Sequence, residues 1–444
     1  MKKLLSILLS VMVIAAACDK EEHIPPSLRP DPGQQEKPQP EPEPEPEPPS
    51  DPLHDKVIPD GYEIPAVYIT TAEGCKIESK KDWVEAEFRF EDPSKFFSDE
   101  AVVEAKGRIR GRGNTTWGMP KKPYRIKLDE KIPVFGRWDN RDWILLANYS
   151  DKTLLRNIMA MELSRVCGMS WTPDMISVEV FLNGDYIGVY SFSDHKEVAK
   201  HRVDIEVAGK DVVDGGYYLE IEEAMDEPVC FKTIWGTPIM FHEPELPSEA
   251  QQKFIQEWFN GFETALGKIQ GGDRDSYRKY LDTPSFINYY IIQEITKNPD
   301  GNVRKSTYLT KKEGSPLEMY HVWDFDITLG NCNYTNFEKP EGWQMRYVKW
   351  YNQLFHDPAF KQAVVDRWTE LYPDLQKVPS FLDRQRKLMA QAQDRNFQRW
   401  DILGKYVWPN YYHFDTYDEE YAFLKEFYNK RLQWLNTKIQ GDFN

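Results

Sequence analysis

The segment from Ile24 to Pro52, IPPSLRPDPGQQEKPQPEPEPEPEPPSDP, limits where a fold can begin. Proline fixes φ and donates no backbone hydrogen bond, and most of the remaining residues are polar or acidic, so the stretch has no apolar surface to bury. It reads as an extended tether rising roughly 3.1 Å per residue. Any core must lie C-terminal to it. After Gly61 the composition becomes globular, and 40% hydrophobic residues in a chain of 444 allow a sizeable core.

Ahead of the tether stands MKKLLSILLSVMVIAAACDK, with two lysines, an apolar run from Leu4 to Ala17 and three alanines before Cys18. The run is short for a membrane span and has a signal-peptide profile. Its end resembles a bacterial lipobox, which implies that Cys18 is the lipidated first residue of the mature protein. The following CDKEEH resembles the surface-export signal of Bacteroidetes lipoproteins. The expected organisation is a signal peptide over 1–17, a lipidated tether over 18–60 and one domain over 61–444, exposed at the cell surface and held to the outer membrane by its lipid alone. The formal charge of −16 argues against a nucleic-acid partner, which needs a broad basic surface. Cys75, Cys167, Cys230 and Cys332 form no CxxC, and the eight histidines form no HExxH, so isolated thiols are expected and zinc is not implied.

Within the domain, PAVYITT, WVEAEFRF and AKGRIRGRG read as strands, and EVFLNGDYIGVYSF as a hairpin turning at Asn183-Gly184. DWILLANYSDKTLLRNIMAMEL passes from strand to helix, with Ser150 or Asp151 as N-cap. From Glu249, Phe254, Trp258, Phe262, Leu266 and Ile269 recur at helical spacing; a second helix spans about Pro284 to Thr296, and the chain beyond Trp343 is mostly helical. Strands first and helices later predict an α+β, two-lobed fold with a strand-rich N-terminal part and a helix-rich C-terminal part.

Three stretches carry chemistry. GRIRGRGNTTWGMPKKPYRIKL combines Gly111, Gly113 and a basic run, and as a strand PYRIKL puts Arg125 and Lys127 on one face. Glycine lets backbone amides approach a phosphate while arginine or lysine supplies charge; an ordinary solvated strand face has the same pattern. ITKNPDGNVRKSTYLT places Asp300 in a loop between helix and strand. HVWDFDITLGN reads as a strand with His321, Trp323, Phe325 and Ile327 on one face and Asp324 and Asp326 on the other. Paired carboxylates repel, so a cation, a proton or open water must accommodate them. A loop aspartate as base followed by a carboxylate that binds Mg²⁺ is the order protein kinases use.

IRGRGNTTWGMPKKPYRIKL, NYSDKTLLRN, VEVFLNGDYIGVY, GGYYLEIEE and WDFDITLGN, in this order, resemble the spore-coat protein H (CotH) kinase family from about residue 62 onward. The resemblance implies an atypical protein-kinase-like fold that binds ATP with Mg²⁺ or Mn²⁺ and phosphorylates a protein acceptor, here unknown, on Ser or Thr. It implies that Arg125 or Lys127 contacts phosphates, that Glu220 lies near the nucleotide and Trp323 near its base, that Asp300 takes the catalytic-loop role, and that Asp324 and Asp326 hold the metal. Four positions depart from the family pattern. Lys305 stands where Asn is expected, Asp194 where Glu is, His242 where Lys is, and Glu222 where Asp is. Two other functions fit the residues: a catalytically weak kinase-like scaffold that binds a glycan or protein through aromatic side chains, and a glycoside hydrolase using a carboxylate pair.

Overall fold

The computed structural model describes residues 53–442; the signal segment, Cys18 and the proline-rich stretch lie outside them. Seven strands close into a barrel: β1 (Ala66–Thr71), β2 (Val84–Glu91), β3 (Val102–Gly111), β4 (Tyr124–Ile132), β5 (Asn140–Leu146), β6 (Met175–Leu182) and β7 (Asp185–Asp194). Their order is β1-β2-β3-β4-β5-β7-β6, and parallel pairing of β1 with β6, Ala66 opposite Glu179, completes the circle. Closure leaves the barrel without an unpaired edge. Alternation along each strand decides which face is inside. On β2, Ala86, Phe88 and Phe90 are buried between exposed Glu85, Glu87 and Arg89; on β4, Tyr124, Ile126 and Leu128 point inward and Arg125 and Lys127 outward. The β6–β7 hairpin turns at Asn183 (φ 51°) and Gly184 (φ 80°), two left-handed residues as a type I′ turn requires.

Between β5 and β6 lies helix α1 (Arg156–Cys167). Its N-cap position is Leu155 and not Ser150 or Asp151. The carboxylate of Asp151 instead accepts from the backbone N–H of Arg156 at 2.9 Å and pairs with its guanidinium at 2.6 Å, so the helix starts where that ion pair ends.

A second, antiparallel sheet has the order β12-β11-β8-β10-β9, built from β8 (Tyr217–Ile221), β9 (Cys230–Lys232), β10 (Pro238–Glu243), β11 (Thr307–Lys311) and β12 (Leu317–His321). Helices α2 (Glu249–Leu266) and α3 (Thr283–Thr296) are inserted before β11, and α4 (Lys349–Leu354), α5 (Pro358–Leu375), α6 (Val378–Leu388), α7 (Ala392–Arg399) and α8 (Tyr417–Asp442) follow β12. Ser248 and Gln251 close a capping box on α2. Every residue of α3 from Ser285 to Thr296 is buried, as the helix packs on α1, α5, α8 and β12. Its one acid, Glu294, meets the buried Arg431 of α8 at 2.7 Å and also accepts the backbone N–H groups of Gln344 and Met345, so the pair carries no unmet polar group.

Folded structure is present before Gly61. Leu53 is buried, its carbonyl accepts from Arg384 of α6 at 2.6 Å, and His54 stacks on Phe381 and contacts Glu162. Cys75, Cys167, Cys230 and Cys332 are free thiols. No helix among the described residues is long and apolar enough to cross a membrane.

Candidate active site

The strand expected through Ile327 stops at His321. Beyond it Asp324 takes a left-handed conformation (φ 69°), which aspartate tolerates better than most residues, and the two-residue alternation is lost. Three asparagines hold the resulting loop. Asn157 of α1 accepts from the N–H of Phe325 at 2.8 Å, Asn298 donates to the Asp324 carbonyl at 3.3 Å, and Asn331 donates to the Asp326 carbonyl at 2.6 Å. Val322 and Phe325 are fully buried beneath them. Asp324 and Asp326 therefore reach a cavity of about 860 Å³ by a pinned turn and not by strand periodicity.

Neither carboxylate has an ion pair among the described residues. Asp326 is 9% exposed and accepts one side-chain bond, from the Ser150 hydroxyl at 3.2 Å. Burial, then the charges of Asp324 and Asp151, push its carboxyl up to about 8. Asp324 is exposed to the cavity by surface area, yet the cleft walls withhold bulk water from its charge. That enclosure, followed by repulsion from Asp300, raises its proton affinity against the pull of Arg112 and Lys196. Two oxygen donors in mutual repulsion with free lone pairs suit a hard divalent cation such as Mg²⁺, which neutralises both.

Cations line the same cavity. Arg112 lies over the Trp323 ring at 5.7 Å; Lys196 lies over the same ring at 5.3 Å and donates to the Tyr308 hydroxyl. Arg125 turns two nitrogens onto Asp142 at 2.6 and 2.9 Å and lines the cavity. The loop leaving β3 passes beside them. A side chain at Gly111 would meet the Trp117 ring and one at Gly113 (φ 85°) would meet Thr116, both at 2.3 Å, so this backbone course needs glycine at both positions. Asp300, in the loop after α3, has its N–H held by Asn298 at 2.9 Å and its carbonyl by Asn302 and Lys305. Burial raises the proton affinity of its carboxyl, with Lys305 and Arg304 opposing.

Asp300, Asp324, Asp326, Arg125, Glu220 and Trp323 line one cavity. Lys127 is not in its lining; it sits 3.5 Å from Asp142 on the barrel's outer face. Cys18 lies outside the described residues. The departures from the family pattern acquire partners. His242 contacts Glu220 at 2.6 Å, supplying a nitrogen donor where the family has lysine. Lys305 pairs with Glu223 at 2.9 Å, Asp194 with Arg202 at 3.0 Å, and Glu222 accepts the N–H of Ala224 at 3.1 Å. Sequence reasoning missed Arg112, Lys196, Ser150 and Asn157. Arg112 stands in the basic GRIRGRG run and Asn157 ends NYSDKTLLRN, whereas Lys196 carries no local signal.

A cavity in which unpaired carboxylates face arginine and lysine suits a polyanion accompanied by a metal ion. The chain matches the model of the CotH kinase protein family over residues 109–435, most of its length, and it belongs to that family. No curated protein matches it.

Proposed function

We propose that the protein transfers the γ-phosphoryl group of ATP to a Ser or Thr hydroxyl of a protein acceptor, with the barrel and the helix-rich part acting as the two lobes of a kinase-like fold. The carrying observation is that Asp324 and Asp326 lack any ion pair among the described residues while sharing a cavity with Arg112, Arg125, Lys196 and Asp300. Asp324 and Asp326 would hold Mg²⁺ or Mn²⁺, which supplies charge neutralisation for the phosphates. Arg112, Arg125 and Lys196 attract the remaining phosphate charge, and Trp323 offers a ring face already flanked by cations. Asp300 accepts the proton of the acceptor hydroxyl as its oxygen bonds to the γ-phosphorus and the bond to the β-phosphate oxygen breaks, releasing ADP. The raised proton affinity of Asp300 favours that transfer. Anchorage through a lipid on Cys18 at the outer-membrane surface belongs to the same proposal.

Lys305, in the place of a possible second metal ligand, and the exposed aromatics Tyr406, Trp408, Tyr411 and Tyr412 favour a second reading, a binding scaffold with little turnover. Titration calorimetry of ATP with and without Mg²⁺, alongside phosphate transfer by Asp300→Asn, separates the two. Metal-dependent ATP binding retained in Asp300→Asn with transfer abolished supports the kinase. ATP binding in neither condition leaves the scaffold.

A further inference from the structure

Strand β3 sets opposite charges against β2 but breaks that rule of sheet electrostatics on its β4 side. Arg108 lies directly opposite Lys127 and Arg110 directly opposite Arg125 on β4, like charges where a sheet normally sets opposite ones. Asp142 offsets Arg125 and Lys127. Arg108 and Arg110 take part in no ion pair or side-chain hydrogen bond among the described residues, in a chain whose formal charge is −16. What holds them is the Trp83 ring, with Arg108 at 5.1 Å, Arg110 at 4.6 Å and Arg125 at 5.7 Å from its centre. A guanidinium stacked on an aromatic face keeps its hydrogen-bond donors in a fixed orientation and free for a ligand.

The spacing defines that ligand. Arg108 and Arg110 stand two residues apart on a strand, so their origins are separated by roughly 6.6 Å. An extended peptide rises by the same roughly 6.6 Å over every two residues, so its alternate side chains fall on one face at that interval. Exposed Glu85, opposite Arg108, and Glu87, paired with Lys106 at 3.2 Å, flank the strip and repel a dense polyanion. A chain bearing isolated carboxylates fits between them. Arg110 lines the same cavity as Asp300, while Arg108 lies outside it, so the strip leads from the barrel surface into the site.

We infer that Arg108 and Arg110, held by Trp83, form the docking strip for an extended acceptor segment with carboxylates at alternate positions. The inference rests on the phosphotransfer reading for the word acceptor; the binding surface itself does not. The test is fluorescence anisotropy on the full chain with a labelled peptide of alternating Glu and Ser, against the same peptide with Gln for Glu. The Glu peptide is expected to bind about tenfold or more tightly, with the advantage shrinking as salt rises. Arg108→Gln should remove most of the advantage and Arg108→Glu reverse it, while the melting shift caused by ATP with Mg²⁺ matches wild type. Equal binding of the two peptides to wild type, or an undiminished preference in Arg108→Gln, overturns the inference. Loss of the ATP shift in Arg108→Gln also overturns it, by assigning the arginine to the nucleotide. A Glu preference in a wild type that shows no ATP shift supports the surface and defeats the kinase reading alone.

Discussion

Asp151 follows Ser150 in the chain and Asp326 accepts the Ser150 hydroxyl, yet the surroundings of the two carboxylates are opposite. Asp151 is fully buried and saturated. It accepts the N–H and hydroxyl of Thr153 at 3.1 and 2.6 Å, the N–H of Arg156 at 2.9 Å and its guanidinium at 2.6 Å, and Arg156 in turn donates to the Thr328 carbonyl at 2.9 Å. Asp326 is nearly as buried, yet has one hydroxyl for company and three acidic neighbours, Asp324, Asp151 and Asp300. The first arrangement fixes the start of α1 to the loop that carries the second. A buried carboxylate with every lone pair engaged is scaffold, whereas one left with free lone pairs beside a cavity is prepared for something that arrives later.

The largest effect should come from breaking the saturated side. Arg156→Met leaves Asp151 buried without its counter-charge, and equilibrium unfolding in urea is expected to show a loss of about 3–5 kcal/mol. Near-wild-type stability would mean that water, and not Arg156, satisfies that carboxylate. The open side should respond differently. Asp326→Asn keeps shape and removes a repelling charge, so melting of the metal-free protein is expected at or above the wild-type temperature. The same variant should lose the Mg²⁺-dependent part of the ATP stabilisation, which for a ligand at a hundredfold its Kd is about 2.7 kcal/mol. A metal-dependent shift that survives in Asp326→Asn would remove this residue from the metal site.

The smallest effect is on pH dependence. The folded protein holds the Asp326 proton more tightly than the unfolded chain, so this group contributes stability that is full below about pH 4 and is lost as pH rises through about 8. Metal-free wild type should therefore lose more melting temperature across that window than Asp326→Asn, by a few degrees. Parallel curves for the two proteins would show that Asp326 is already relieved of its repulsion.

Much of the fold was legible because its signals are local. Asn183-Gly184 marks its own hairpin, Tyr124, Ile126 and Leu128 declare which face of β4 is inside, and the apolar run in α3 announces burial. The site was legible as a set of residue types, with one error of mechanism. Alternation puts Asp324 and Asp326 on one strand face, whereas the strand ends at His321 and Asn157, Asn298 and the loop's own Asn331 hold the turn that carries them. The start of the folded part was also read late, because Leu53 and His54 are two residues at the end of a proline-rich run and form no pattern of their own.

Residue chemistry and short-range periodicity are written in neighbouring positions, so the sequence by itself determined the strands, the helices, the glycine turn and the presence of paired aspartates. Tertiary structure alone decided that β1 closes on β6 more than a hundred residues later, that Lys196 reaches Trp323, and that Arg125 lines the cavity while Lys127, on the same strand face, does not. It also decided that Arg156 goes to Asp151 and not to Asp326. Such pairings depend on which segments meet across the core. Their free energy comes from burial and from charges brought within a few ångströms, and those distances do not exist until the chain has folded.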